Sequence, residues 1–335
     1  MIKDLIKQLL NKKDLTLLQM QQVMREILSG AVDTADIIAF LTSLNAKGET
    51  VVELTAAVNA MLKYVNPIIV DKPNILDTCG TGGDKKSTFN ISTVTALVAS
   101  GAGVTVAKHG NRCVSSKCGS ADILEALGVK IDMDTGKIKK CLEEIGIAFL
   151  FAPNLHLAMR HVMPARKQIA QKTIFNILGP LINPARATNQ LIGVYSQQWV
   201  RPLAEVLHNL GSDHILVVHG ADGLDEITTT DKTFVTEVAG RVIKDYEIIP
   251  EDFGFKRASL NDLLGGTIDE NVRIALDILA GKSGSRRDIV LLNAGCAIYA
   301  ANKTDTIAKG VILAKKSIDS GAALEKLKRL KEYSQ

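Results

Sequence analysis

The sequence predicts an α/β protein in two parts, an all-helical N-terminal stretch and a longer stretch in which strands and helices alternate. Up to about residue 70, apolar residues recur at three-and-four spacing and no strand signal interrupts them. From Asn74 onward the pattern changes to short apolar runs separated by helical segments with Gly or Asp punctuation. The chain has 335 residues, 46% hydrophobic and 23% charged, which is enough for one large core or two modest ones.

The N-terminal helices are LLQMQQVMREIL, ADIIAFLTSL and VVELTAAVNAML. Thr50 and Glu53 stand at capping-box spacing, where a hydroxyl and a carboxylate satisfy free amides of a first helical turn. The strand candidates are VTVAKHG, IAFLFAP, QLIGVY and HILVVHG. Between the second and third lies a predicted helix from Arg160 to Lys172. IFNILGPLINPAR follows, and its Gly179, Pro180 and Pro184 do not belong in a regular helix interior. This segment is expected to cross between the two parts. The leucines of the C-terminal KLKRLKEYSQ fall at helical spacing and make it an amphipathic, solvated helix.

Composition excludes several classes. No run of about 18 uncharged apolar residues occurs, and MIKDLIKQLLNKKD carries charges where a signal peptide is apolar, so a cytoplasmic location is expected and no membrane partner. Five scattered cysteines read as free thiols, and no second Cys or His pair completes a zinc site with Cys113 and Cys118. A net charge of +4 falls short of a dedicated nucleic-acid domain.

The chemistry-bearing residues begin in ILDTCGTGGDKKSTFNIST, a strand running through GTGGD to Asn90, the expected N-cap of a helix starting at Ile91. Gly80, Gly82 and Gly83 can take positive φ and close backbone amides on phosphate oxygens. Ser92 and Thr93 put hydroxyls beside further free amides. The dinucleotide fingerprint and the P-loop both need Gly where Lys85 stands, and Asp84 would set a carboxylate among phosphates; beside a sugar hydroxyl or magnesium-bound water it is better placed. Next, Lys108, His109, Asn111, Arg112 and Lys117 gather donors and cations around Gly110, with Ser115, Ser116 and Ser120 adding hydroxyls. Asp225 and Glu226 lie in a Gly-rich loop after HILVVHG, a place for magnesium or a solvated turn. Arg166 by itself is a helix-surface cation.

Taken in order, GTGGD, NIST, KHGNR, VSSKCGSAD, the PAR helix with TIFNILGPLINPA, and HGADGLDE resemble the motif series of the anthranilate phosphoribosyltransferase family, across essentially the whole chain. The resemblance implies a small all-helical domain hinged to a larger α/β domain with a central, mostly parallel sheet flanked by helices. The parts would be residues 1–70, completed by about 163–190, and residues 71–162 with 191–335. It also implies a homodimer through the helical part, with anthranilate and phosphoribosyl pyrophosphate as substrates and Mg2+ as cofactor. Phosphoribosyl pyrophosphate falls to Gly80, Gly83, Asp84, Thr88, Asn90, Ile91, Ser92, Thr93, Lys108, His109, Gly110, Asn111, Arg112, Cys113, Val114, Ser115, Ser116 and Ser120. Anthranilate falls to Gly80, Asn111 and Arg166, and magnesium to Ser92, Asp225 and Glu226.

The family more often has Gly at position 85 and small residues at 113 and 118, so Lys85, Cys113 and Cys118 are departures. The implied reaction displaces pyrophosphate at the anomeric carbon, and the uncharged aromatic amine demands no strong general base. Two alternatives stand beside it. A pyrimidine nucleoside phosphorylase should carry DKHSTGG, which is missing, and a non-catalytic nucleic-acid-binding relative should lack an intact KHGNR and DE set.

Overall fold

The computed structural model describes residues 1–112 and 118–335. Four helices open the chain: α1 (Ile2–Leu10), α2 (Leu17–Leu28), α3 (Thr34–Lys47) and α4 (Val51–Met61). The Thr50–Glu53 capping box forms at the start of α4, and Thr16 with Gln19 makes a second one at α2. Glu53 does more than cap. Fully buried, it also accepts from the Leu15 amide at 2.8 Å and the Lys47 ammonium at 2.8 Å, so its charge is paired and hydrogen-bonded inside the bundle.

The remaining elements are β1 (Leu76–Asp77), α5 (Ile91–Gly101), β2 (Val106–Gly110), α6 (Ser120–Ala126), α7 (Thr135–Lys140), β3 (Ile147–Phe151), α8 (Ala152–Leu155), α9 (Met163–Ile169), α10 (Phe175–Leu178), β4 (Asn189–Gly193), α11 (Val200–Asn209), β5 (His214–Gly220), β6 (Thr233–Ala239), β7 (Val242–Ile248), α12 (Ile268–Leu279), α13 (Ser285–Ala300), α14 (Ile307–Asp319) and α15 (Ala322–Ser334). The strands form one seven-stranded sheet in the order β3-β2-β1-β4-β5-β6-β7. Pairings from β3 through β5 are parallel, while β6 and β7 add an antiparallel hairpin at the edge. The fold class is therefore the expected one. The hairpin is new. Its two-residue turn, Gly240–Arg241, has Gly240 at φ 58°, the backbone such turns require.

Helices cover both faces, as a parallel sheet needs. On β5, Ile215 and Val217 point into the core shared with α1–α4, α9–α11 and the crossing segment, while Leu216 and Val218 point into the core under α5, α6 and α12–α15. The N-terminal helices thus do not bury their apolar stripes only on one another, because one core runs from them onto the sheet.

The crossing segment departs from expectation. The helix foreseen from Arg160 to Lys172 is a 3-10 turn, Leu157–His161, followed by α9, which stops at Ile169. Ala170 takes a left-handed conformation, φ 50°, and turns the chain toward the sheet. That break is what carries Lys172 into the region described next.

Candidate functional site

β1 lies between β2 and β4: the chain runs outward through β2 and β3, then returns to β1's other side. Loops leaving β1 and β4 diverge there, and the crevice at such a switch point is where open α/β sheets hold ligands. GTGGD leaves β1 at this point. Gly82 and Gly83 have φ of 63° and 81°, as a loop turning its amides toward an anion needs. Gly80 has ordinary φ and is required for closeness instead, since a Cβ there would lie 2.9 Å from the Gly193 carbonyl oxygen. Thr81 ties the cradle to β4, its amide donating to the Gly193 carbonyl at 2.8 Å and its hydroxyl accepting from the Tyr195 amide at 3.0 Å.

Lys85 and Ser87 both sit at positive φ, 61° and 56°. Beyond them, Thr88 bridges to Leu264 and the chain enters α5. Asn90 occupies the N-cap position but makes no side-chain cap, because its amide group donates to the Cys118 carbonyl at 3.0 Å and its backbone amide to Asn271 at 3.2 Å. The amides of the first turn of α5 therefore remain unclaimed by Asn90. Ile91 and Thr93 are buried, which leaves their backbone as what they offer a ligand.

Alternation on β2 separates the KHGNR side chains. The buried Lys108 ammonium donates to the Thr78 carbonyl at 3.3 Å and the Ser92 hydroxyl at 3.2 Å, on the cradle side. His109 points to the opposite face, its Nε2 lying 3.0 Å from Nε2 of His156. Burial drives His109 down to about 3 and His156 to about 4, which favours the uncharged ring of each. Gly110 admits no side chain, because a Cβ would press on the Ser120 hydroxyl and on Phe149. Ser120 donates to the Asn111 carbonyl at 3.2 Å. Arg112 is not brought to the cradle. It pairs with Asp122 at 3.0 Å and Glu125 at 2.8 Å on α6 and lies over Phe151. Cys113, Val114, Ser115 and Ser116, with Lys117, lie outside the described residues.

The acidic pair is not the solvated turn that its sequence also allowed. Asp225 is hydrogen-bonded to Asp84, and burial, then the Asp84 charge, pushes it up to about 8. Glu226 is raised well above the carboxylate range by burial and by Asp225, opposed by Lys108 and by a hydrogen bond from the Ser92 amide. Both carboxylates thus interact with Asp84, Asp225 through a hydrogen bond and Glu226 through its charge. The loop is held from below. Asp222 accepts from the hydroxyls of Thr228, at 2.6 Å, and Thr230, while the fully buried Asn293 of α13 donates to the Ile227 carbonyl at 2.7 Å and accepts from the Ile227 amide at 3.0 Å.

Arg166 projects from α9, half-buried over the Phe175 ring at 5.9 Å, with no acidic partner in ion-pair range among the described residues. Burial lowers its pKa, the mark of a cation short of counter-charge. Lys172, His156, Asn293 and Asn183 were missed by sequence reading. Asn183 of the crossing segment donates to Asp77 at 2.7 Å and to the Ala107 carbonyl at 2.8 Å. Ligand atoms of Asp77, Cys79 and His109 come within 4.8 Å of one another, yet Asp77 already accepts from Asn183 and from the His109 amide. Its cluster is a structural one.

Residues 3–65 match the model of the glycosyl transferase family helical bundle domain, and residues 72–324 match that family's a/b domain. The anthranilate phosphoribosyltransferase of Persephonella marina is 51% identical over 100% of this chain and 99% of its own length. That of Symbiobacterium thermophilum is 48% identical over 99% and 98%. Among solved structures, the anthranilate phosphoribosyltransferase of Thermus thermophilus superposes with a TM-score of 0.92 at 41% identity, covering 98% of each chain. The Saccharomyces cerevisiae enzyme, solved in complex with PRPP and Mg, gives 0.90 at 29% identity over 99% of this chain and 97% of that one. With cradle, strand order and full-length similarity in agreement, this chain belongs to the anthranilate phosphoribosyltransferase family.

Proposed function

We propose that the protein transfers the 5-phosphoribosyl group of phosphoribosyl pyrophosphate to the amine of anthranilate, releasing pyrophosphate, a step of tryptophan biosynthesis. One observation carries the reading most directly: a glycine cradle, a buried Lys108 and three clustered carboxylates meet at the sheet's switch point, while Arg166, without an acidic partner among the described residues, stands on the segment crossing toward it. The cradle suits a diphosphate and the arginine a benzoate.

The donor set also suits magnesium. Ser92, Asp225 and Glu226 offer hard oxygens, and the two carboxyl groups are raised by burial first and by the neighbouring acid's charge second. When bound, the ion offsets charge gathering on the leaving pyrophosphate. The chain's own part is to position. Gly80, Gly83, Asp84, Thr88, Asn90 to Thr93, Lys108 to Ser116 and Ser120 are assigned to the donor, with Asn111, Gly80 and Arg166 on the acceptor. Arg112 would have to leave Asp122 and Glu125 to join them. No side chain is assigned as a general base, since the aromatic amine attacks uncharged.

Residues 1–70 and about 163–190 are taken as the helical part that closes on the rest. Leu10, Leu17 and Leu18, exposed on α1 and α2, support a homodimer through that part. The reaction is assigned to the cytoplasm as a biosynthetic step, and among the described residues no helix is long and apolar enough to cross a membrane. Mixing the protein with magnesium, phosphoribosyl pyrophosphate and anthranilate should extinguish anthranilate fluorescence, and each omission should abolish the change. Persistent fluorescence alongside phosphorolysis of uridine would hand the assignment to the nucleoside phosphorylase reading.

A further inference from the structure

α9 ends at Ile169, and the left-handed Ala170 redirects the chain so that Lys172 reaches the cradle. Its ammonium donates to the Gly83 carbonyl at 3.0 Å and sits 3.1 Å from the centre of the Tyr195 ring. A Cβ on Gly83 would already be in contact with this side chain at 3.5 Å. The head group is close enough to Asp84, Asp225 and Lys85 to interact electrostatically with each, and no carboxylate stands within ion-pair distance of it among the described residues. The two acids are engaged with each other instead, through the Asp84–Asp225 hydrogen bond.

An ammonium has three protons to donate, and here one carbonyl and a ring face receive them. It is half-buried, so solvent satisfies it only in part. Gly83 belongs to the loop whose positive φ values suit a backbone that turns its amides toward an anion. The cation therefore stands at the rim of an anion cradle while held by a neutral acceptor. We propose that Lys172 is a further donor-binding residue, which exchanges the Gly83 carbonyl for the diphosphate of the donor and so fastens the crossing segment over the filled cradle. The same segment carries Arg166, so a diphosphate gripped by Lys172 also fixes the acceptor's cation relative to the donor. This inference rests on phosphoribosyl pyrophosphate being the donor.

The test is calorimetric titration of the full chain, with magnesium present, using phosphoribosyl pyrophosphate, inorganic pyrophosphate and ribose 5-phosphate in turn. Lys172→Met should weaken the first two by at least about 10-fold, the loss expected of one charged hydrogen bond, and leave ribose 5-phosphate unmoved. Lys172→Arg should restore most of the affinity, and the melting temperature of the ligand-free protein should hold in both variants. Unchanged pyrophosphate affinity in Lys172→Met, or equal losses for all three ligands, would overturn the proposal while leaving the proposed function standing. Failure of the unsubstituted protein to bind phosphoribosyl pyrophosphate would remove both.

Discussion

Gly193 ends β4 directly against Asp225, so close that a Cβ on Gly193 would overlap the Asp225 carbonyl. The Gly193 carbonyl in turn receives the Thr81 amide, so this one residue is the floor on which both the cradle and the acidic loop rest. Gly193→Ala should push the acidic loop off β4. Overpacking of this kind costs about 1–3 kcal/mol, and the displaced carboxylates should raise the magnesium concentration needed for half-maximal rate. A melting curve and a magnesium titration check both; an alanine variant with an unaltered magnesium curve would mean that the loop does not depend on this contact.

Asp225→Asn with Glu226→Gln should abolish most activity, because the neutral pair keeps its shape and loses the charge that would hold magnesium. Stability should move the other way, and with pH. A carboxyl whose folded pKa is raised keeps its proton where the unfolded chain has lost it, so it withdraws stability as pH rises from about 4 to about 8, the value to which Asp225 is pushed. The double variant should therefore match the unsubstituted protein at pH 4 and melt above it at pH 8. Parallel stability profiles from pH 4 to 8 would contradict the coupling of Asp225 to Asp84.

Arg166→Ala should raise the Michaelis constant for anthranilate by about 10- to 150-fold, the worth of a charged hydrogen bond of roughly 1.5 to 3 kcal/mol. Donor binding should change less. Since Arg166 has no acidic partner to abandon among the described residues, the melting temperature should not fall. An anthranilate constant equal to that of the unsubstituted protein would remove Arg166 from the acceptor site.

Lys85→Gly should leave stability unchanged or raise it by up to about 1 kcal/mol. A left-handed conformation costs a lysine roughly 1–2 kcal/mol, and glycine's entropy returns part of the gain to the unfolded chain. Denaturant unfolding measures it. A loss of about 1 kcal/mol would mean that Lys85 is held by contacts of its own.

What the sequence determined by itself is what local chemistry controls. Helical periodicity marked α2 to α4, Thr50 and Glu53 marked a cap, and the Gly-rich turn after Leu76–Asp77 marked the cradle, because each depends on residues within a few positions of one another. The β6–β7 hairpin carries no clean alternation on its strands, TFVTEVA and VIKDYEI, so its pairing across Gly240 and Arg241 is a matter of tertiary packing. Tertiary structure alone decided which distant groups meet. That Asp84 faces Asp225 from far along the chain, that Lys172 reaches Gly83, and that His109 turns to His156 while Lys108 turns to Ser92 follow from strand order, β-strand alternation and the break at Ala170. It also decided that Arg112 pairs with Asp122 and Glu125 of α6. Spacing along a chain specifies which face a residue takes, but packing of the β1 and β4 loops at the switch point specifies what stands opposite it.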